Sequence, residues 1–252
     1  MQSGAALKAK LRNRTPCIGA WVLTGSADVV EILAFSGLDF VILDHEHGLG
    51  SIETAAGQLR ALKGSGCTGM LRAPSNDRVY IKRALDAGVG GIMIPNVGTA
   101  AEARDAVAAC RYPPRGVRGA FGGMRAMDFG FDPAYYGAIE DELVIAAQIE
   151  SSAAIDNIAE IGAVDGIAVL FIGPRDLSAT MGKLNRFDDP GVMAEIARAE
   201  EAIKATGLVL GSTAMSGKAA KEMTARGYGF IVAGSDAVLL GNGIRAMLAD
   251  AR

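Results

Sequence analysis

Groups that titrate near neutrality are scarce in this chain. Its 252 residues include two histidines, three cysteines and one tryptophan, and only 6% are aromatic. So few aromatics argue against stacking platforms for single-stranded nucleic acid. The formal net charge is −3 with 21% charged residues, so no basic field is present to attract a phosphate backbone. Cys17, Cys67 and Cys110 are odd in number, far apart and without CxxC spacing. That pattern speaks against a disulfide framework or a zinc site and fits a reducing cytoplasm. The start, MQSGAALKAKLRNR, lacks the apolar centre of a secretory signal, and no run is long enough to cross a bilayer. A small molecule is the expected partner, with no nucleic acid and no membrane.

What is abundant is alternation. Half the residues are apolar, and short apolar runs recur, each followed by a segment of amphipathic, helix-like spacing. Strands are predicted at 17–24, 38–45, 68–74, 90–96, 143–150, 166–173, 208–214 and 230–236. Helices are predicted in SADVVEILAFSG, DRVYIKRALDAG, TAAEARDAVAAC and PGVMAEIARAEEAIKATG, several of which stop at glycine. Eight strand–helix units in this length fit an α/β fold of the (β/α)8 (TIM) barrel type, one domain over 1–252. Periodicity cannot show closure, so a doubly wound sheet stays open as an alternative. No GxGxxG follows the first strand, which removes the usual dinucleotide site. The irregular stretch YPPRGVRGAFGGMRAMDFG (112–130) has the length of a functional loop.

In a barrel, chemistry belongs at the C-terminal ends of the strands. Those positions hold Asp44, His45, Glu46 and His47 after the second strand and Arg72 after the third. Gln148 and Glu150 follow on the fifth, with Arg175 and Asp176 after the sixth. Glu150 and Asp176 come from neighbouring strands. They either hold a hard divalent ion through oxygen or merely cap the helices that follow. Arg72 suits an anionic oxygen, or is a surface ion pair. Two imidazoles beside an acid suggest a general base, although His45 and His47 share parity and alternation cannot rank them. No lysine lies in a strand or at its last residue, which disfavours a Schiff-base amine.

LDFVILDHEH, Arg72 followed by SND, QIE at 148–150, FIGPRDLS at 171–178 and RYPPRGVRG in the long loop resemble the class II, metal-dependent pyruvate aldolases of the HpcH/HpaI family. These act on 4-hydroxy-2-oxo acids of the hydroxy-oxo-heptanedioate and keto-deoxy-glucarate type. The resemblance implies reversible cleavage to pyruvate and an aldehyde through a metal-stabilised enolate. It implies His47 as base with Asp44 in support, Arg72 at the enolate oxygen, and Glu150 and Asp176 as ligands of Mg2+, Mn2+ or Co2+. No organic cofactor is implied. Gln148, Gly173 and the backbone at Arg175 and Asp176 match pyruvate-binding groups. Asp86 matches an acid that raises the histidine's basicity. Since the helix bearing it ends near the opposite rim, it is expected to serve a neighbouring subunit in a homo-oligomer, a hexamer of paired barrels. The C-terminal helix is expected to exchange with a neighbour as well. His45 is expected beneath the site, and Glu46 in a structural ion pair.

One residue departs from the family pattern. A small side chain is usual at position 175, where Arg175 stands. Either its guanidinium meets a second anionic group on the aldehyde half, or it points away to a surface acid. GSD at 234–236 is similar to a barrel phosphate site, without a second glycine-rich feature to support it. Alternatives to the aldolase are an acyl-CoA ester lyase of the same superfamily and a non-catalytic metabolite-binding barrel.

Overall fold

Apolar runs that must bury both faces pair in parallel, with helices covering the outside. In the computed structural model, which describes residues 4–252, eight parallel strands close in sequential order into a barrel. They are β1 (Cys17–Val22), β2 (Phe40–Asp44), β3 (Thr68–Arg72), β4 (Gly91–Ile94), β5 (Val144–Ile149), β6 (Val169–Ile172), β7 (Val209–Ala214) and β8 (Phe230–Ser235). Closure is made by β8 against β1, with Cys17 opposite Phe230. The closed ring removes the open-sheet alternative. Residues 1–3 of the MQSGAALKAKLRNR start lie outside the described residues.

Helix α1 (Ala5–Arg12) precedes the barrel, and α2 (Ala27–Phe35), α3 (Ile52–Ala61), α4 (Arg78–Asp86) and α5 (Ala100–Cys110) follow the first four strands. A 3-10 segment (Arg125–Gly130) and α6 (Tyr135–Glu142) lead into β5. Then come α7 (Ser152–Asp156) and α8 (Ile158–Gly162), α9 (Pro174–Thr180) and α10 (Pro190–Thr206), α11 (Gly217–Ala225) and α12 (Asp236–Asp250). The starts are chemically marked: Ser26, Ser51, Asp77, Thr99, Ser216 and Ser235 each accept a hydrogen bond from a first-turn N–H. Gly207 stops α10 in the left-handed conformation at φ 79°, which costs little without a Cβ.

Two apolar layers result. Between barrel and helices lie residues such as Val41, Leu43, Leu59, Leu71, Ile81, Ile92, Ile149 and Ile203, all buried. Inside the barrel lie Cys17, Phe40, Ile42, Met70, Met93, Val144, Ala146, Val169, Phe171, Phe230 and Val232. Phe40 and Phe230 stack across the interior with centroids 4.1 Å apart. Burying one such ring contributes about 1.5–3 kcal/mol. Leu7 and Leu11 of α1 join this inner layer and close the barrel at its N-terminal end. Helix α12 is different. Only Asp236 of it is buried, while Val238, Leu240, Ile244 and Met247 are exposed. Among the described residues no helix is long and apolar enough to cross a membrane.

Candidate active site

The inner layer sets the site by counting in twos. Phe40 and Ile42 point inward on β2, so Asp44 is the next inward position at the C-terminal end. Met70 predicts Arg72 in the same way, and Val144 and Ala146 lead to Gln148 and then Glu150. Val169 and Phe171 lead to Gly173. Where the apolar filling ends, the barrel therefore presents one cation and several oxygen donors.

Asp44 and Arg72 are paired residues of the β2–β3 register. Arg72 Nε and Nη2 donate to the two Asp44 oxygens at 2.9 and 2.6 Å, a planar fork with both side chains buried. Arg72 Nη1 lies 2.9 Å from Glu46 Oε2, and its guanidinium stands 4.3 Å over the Trp21 ring. Glu46 thus makes the expected ion pair, and burial, opposed by Arg72, raises its carboxyl above the usual range. The Asp44 carboxylate also accepts the backbone N–H groups of Glu46 and His47 at 3.1 and 3.3 Å. Its link to His47 is through the main chain, not imidazole to carboxylate.

His47 is 61% exposed and faces the rim, with Nε2 3.7 Å from Glu46 Oε2. His45 turns the other way, into the layer between strands and helices. Its Nδ1 hydrogen-bonds the Tyr80 hydroxyl of α4 at 2.7 Å, its Nε2 is buried without a partner, and burial lowers its pKa. The chain therefore separates the two histidines that parity alone could not, because it leaves strand geometry after Asp44.

Glu150 accepts from Gln148 Nε2 at 2.8 Å and from the Asn96 N–H at 2.9 Å. Burial, with the charges of Asp176 and Glu46 nearby, pushes its carboxyl up to about 7. Gly173 passes close beside it: a Cβ there would stand 2.8 Å from Glu150 Cγ and Oε1. The Gln148 Oε1 is buried and has no partner among the described residues. Crowded carboxylates short of positive charge, beside an orphaned amide oxygen, fit a hard cation. Among the described residues no three His, Cys, Asp or Glu form a ligand cluster. Glu150, with the Asp176 charge close enough to raise it, could contribute to such a site and leave positions for water and substrate.

Asp86, Arg175 and the GSD stretch each have partners outside this group. Asp86, at the end of α4, is beside Arg118 at 3.3 Å and is not brought to His47 of its own chain. Burial, opposed by Arg118, raises its carboxyl. Arg175 is exposed and donates to Asn185 Oδ1 at 2.7 Å, so no surface acid holds it. The phosphate reading of GSD is corrected: Asp236 Oδ atoms already accept from the N–H groups of Leu23, Thr24 and Ala237 and from the Thr24 hydroxyl. A phosphate would find those donors taken and a buried negative charge in their place. Trp21, Asn96, Tyr80 and Arg118 were not singled out from sequence. Only Trp21 carried a signal, as the inward residue after Cys17 and Gly19.

The parallel barrel thus gathers Arg72 and a group of carboxylates at its C-terminal mouth, where barrels of this kind place their chemistry. The profile of the HpcH/HpaI aldolase/citrate lyase family matches residues 17–243, and the chain belongs to that family. It is 38% identical over 229 residues to 5-keto-4-deoxy-D-glucarate aldolase of Salmonella paratyphi A, covering 91% of this chain and 90% of the relative. Identity to 4-hydroxy-2-oxovalerate aldolase of Novosphingobium aromaticivorans is also 38%, over 239 residues, 94% of this chain and 91% of the relative. Among solved structures, an HpcH/HpaI aldolase/citrate lyase family protein from Burkholderia cenocepacia superposes with a TM-score of 0.95 at 33% identity. That match covers 98% of this chain and 99% of the other.

Proposed function

We propose that the protein is an aldolase that reversibly splits a 4-hydroxy-2-oxo acid into pyruvate and an aldehyde. The observation that carries this reading is the buried group of Glu150, Gln148 and Gly173 beside Arg72, in a chain of this family. A binder without chemistry needs no general base, and the rim of this barrel offers His47. Among the described residues the mouth gathers carboxylates around Arg72, a poor setting for an acyl-CoA nucleotide, which ranks the thioester lyase second.

Glu150 and Asp176 would hold a divalent metal, Mg2+, Mn2+ or Co2+. Bound there, it would supply a Lewis acid for the 2-oxo acid half of the substrate. The chain's own residues do the rest. Gln148 and the backbone at Gly173 orient the pyruvate half. His47, through water, takes the proton of the 4-hydroxyl, the C3–C4 bond breaks, and its electron pair passes to the C2 oxygen as enolate. A remaining Arg72 N–H stabilises that negative oxygen, while Asp44 and Trp21 hold the guanidinium in place. The aldehyde leaves, and a proton added at C3 gives pyruvate.

The active unit we propose is a homo-oligomer, a hexamer of paired barrels. The apolar α12 face is covered by a second copy, and Asp86 reaches His47 of a neighbouring subunit. The three cysteines are buried and form no disulfide among the described residues, and burial raises their thiols to about 12, which fits a reducing cytoplasm. The test is a coupled assay for pyruvate from a panel of 4-hydroxy-2-oxo acids, with and without EDTA. Release that EDTA abolishes and Mg2+, Mn2+ or Co2+ restores is expected. A panel that yields no pyruvate under any of these conditions would remove the reading.

A further inference from the structure

We propose that Arg175 is a specificity-determining residue that selects substrates whose aldehyde half ends in a second carboxylate. The proposal rests on the aldolase reading and deepens it: the two relatives named above act on substrates of different length and charge, so family membership does not decide between them. The residue is on the first turn of α9, at the C-terminal rim, one position before Asp176.

The guanidinium is held in place by neutral partners. Its Nη1 donates to Asn185 Oδ1 at 2.7 Å, and its Cζ stands 5.9 Å from the Phe187 ring centroid. The Asn185 N–H donates to Ser178 Oγ at 3.2 Å, and Ser178 Oγ donates to the Arg175 carbonyl at 2.7 Å. Side chain, loop and helix turn thus form a closed ring of hydrogen bonds. Asn185 adopts the left-handed conformation, φ 62°, to complete it.

None of those contacts neutralises the charge. Among the described residues Arg175 makes no ion pair, whereas the two cations on the following loop, Lys183 and Arg186, are both paired with Asp189 at 2.6 and 3.1 Å. The rim otherwise repels anions. Asp44, Glu46, Glu150 and Asp176 gather there, and Arg72 is already engaged by Asp44 and Glu46. A substrate with a carboxylate at its far end needs a further cation near the mouth, fixed in advance and not consumed by a protein acid. Arg175 meets both conditions, and its planar fork matches a carboxylate.

The test is aldol addition of pyruvate to two aldehydes of equal chain length, butanal and succinic semialdehyde, by the metal-loaded wild type, Arg175→Ala and Arg175→Lys. Wild type is expected to favour the carboxylated acceptor. Arg175→Ala should lower its kcat/KM relative to that of butanal by roughly 10- to 100-fold, chiefly through KM, the scale of one charge-assisted hydrogen bond. Arg175→Lys should retain part of the preference, and added salt should erode the wild-type preference but not that of Arg175→Ala. An equal fall for both aldehydes, or a wild type that does not discriminate, overturns the role of Arg175 and leaves the aldolase standing. No product from either aldehyde with wild type overturns the aldolase reading and this proposal with it.

Discussion

Asp44 carries more of the site than a base's helper would. Its two oxygens satisfy Arg72 and two backbone N–H groups, so it fixes both the cation and the start of the loop bearing His47. Asp44→Asn leaves a buried guanidinium half-paired and should destabilise the fold by about 3 kcal/mol or more. Urea unfolding of the variant checks this, and an unchanged midpoint would contradict it. His45 makes a pH prediction. Burial sets its folded pKa below the unfolded value of about 6.5, so the unfolded chain binds the proton first. Its contribution is complete above about pH 6.5 and is lost as pH falls through the lower folded value. His45→Gln should flatten the loss of stability as pH falls below about 6.5, and parallel profiles for both proteins would refute the assignment. At this scale the inward row Asp44, Arg72, Gln148, Glu150 was legible, because a period of two passes from apolar to polar at one end of each strand. The His45–Tyr80 bond and the Trp21 face under Arg72 were not. Each joins side chains far apart in sequence that meet only once neighbouring strands and their helices have packed.

The strands could be read because each is a short apolar run with nowhere to go but a covered sheet, and every one of the eight formed inside its predicted span. Helices α2, α4, α5 and α10 had both a polar cap and an apolar stripe, and they formed as well. The 112–130 stretch gave no period. It is organised around single long-range anchors, chiefly the buried Arg118 side chain between Tyr112 and Tyr135. Helix α12 shows the limit of pattern reading: its apolar residues Val238, Leu240, Ile244 and Met247 stay exposed among the described residues, and the proposed second copy is what would cover them. Leu240→Glu combined with Met247→Glu should break the assembly into smaller species by light scattering while the circular dichroism of the barrel persists. A variant that keeps the parent mass would show that a second copy does not cover this face.

For the molecule as a whole, the proposal that Asp86 serves His47 of a neighbouring subunit would make activity a property of the assembly. His47→Ala and Asp86→Ala should each be nearly inactive alone, and coexpressed subunits should regain measurable pyruvate release, since some interfaces then join an intact His47 to an intact Asp86. Mixtures that stay as inactive as their parents would place both residues in service of one chain, or neither in the reaction. The closed end of the barrel has its own effect on traffic. With Leu7 and Leu11 sealing one end and rings stacked across the middle, everything that enters must leave by the same door. In the proposed reaction pyruvate would form deep against Gln148 and Gly173, behind the aldehyde at the threshold. Departure would then be queued, with the last molecule out deciding when the next can come in.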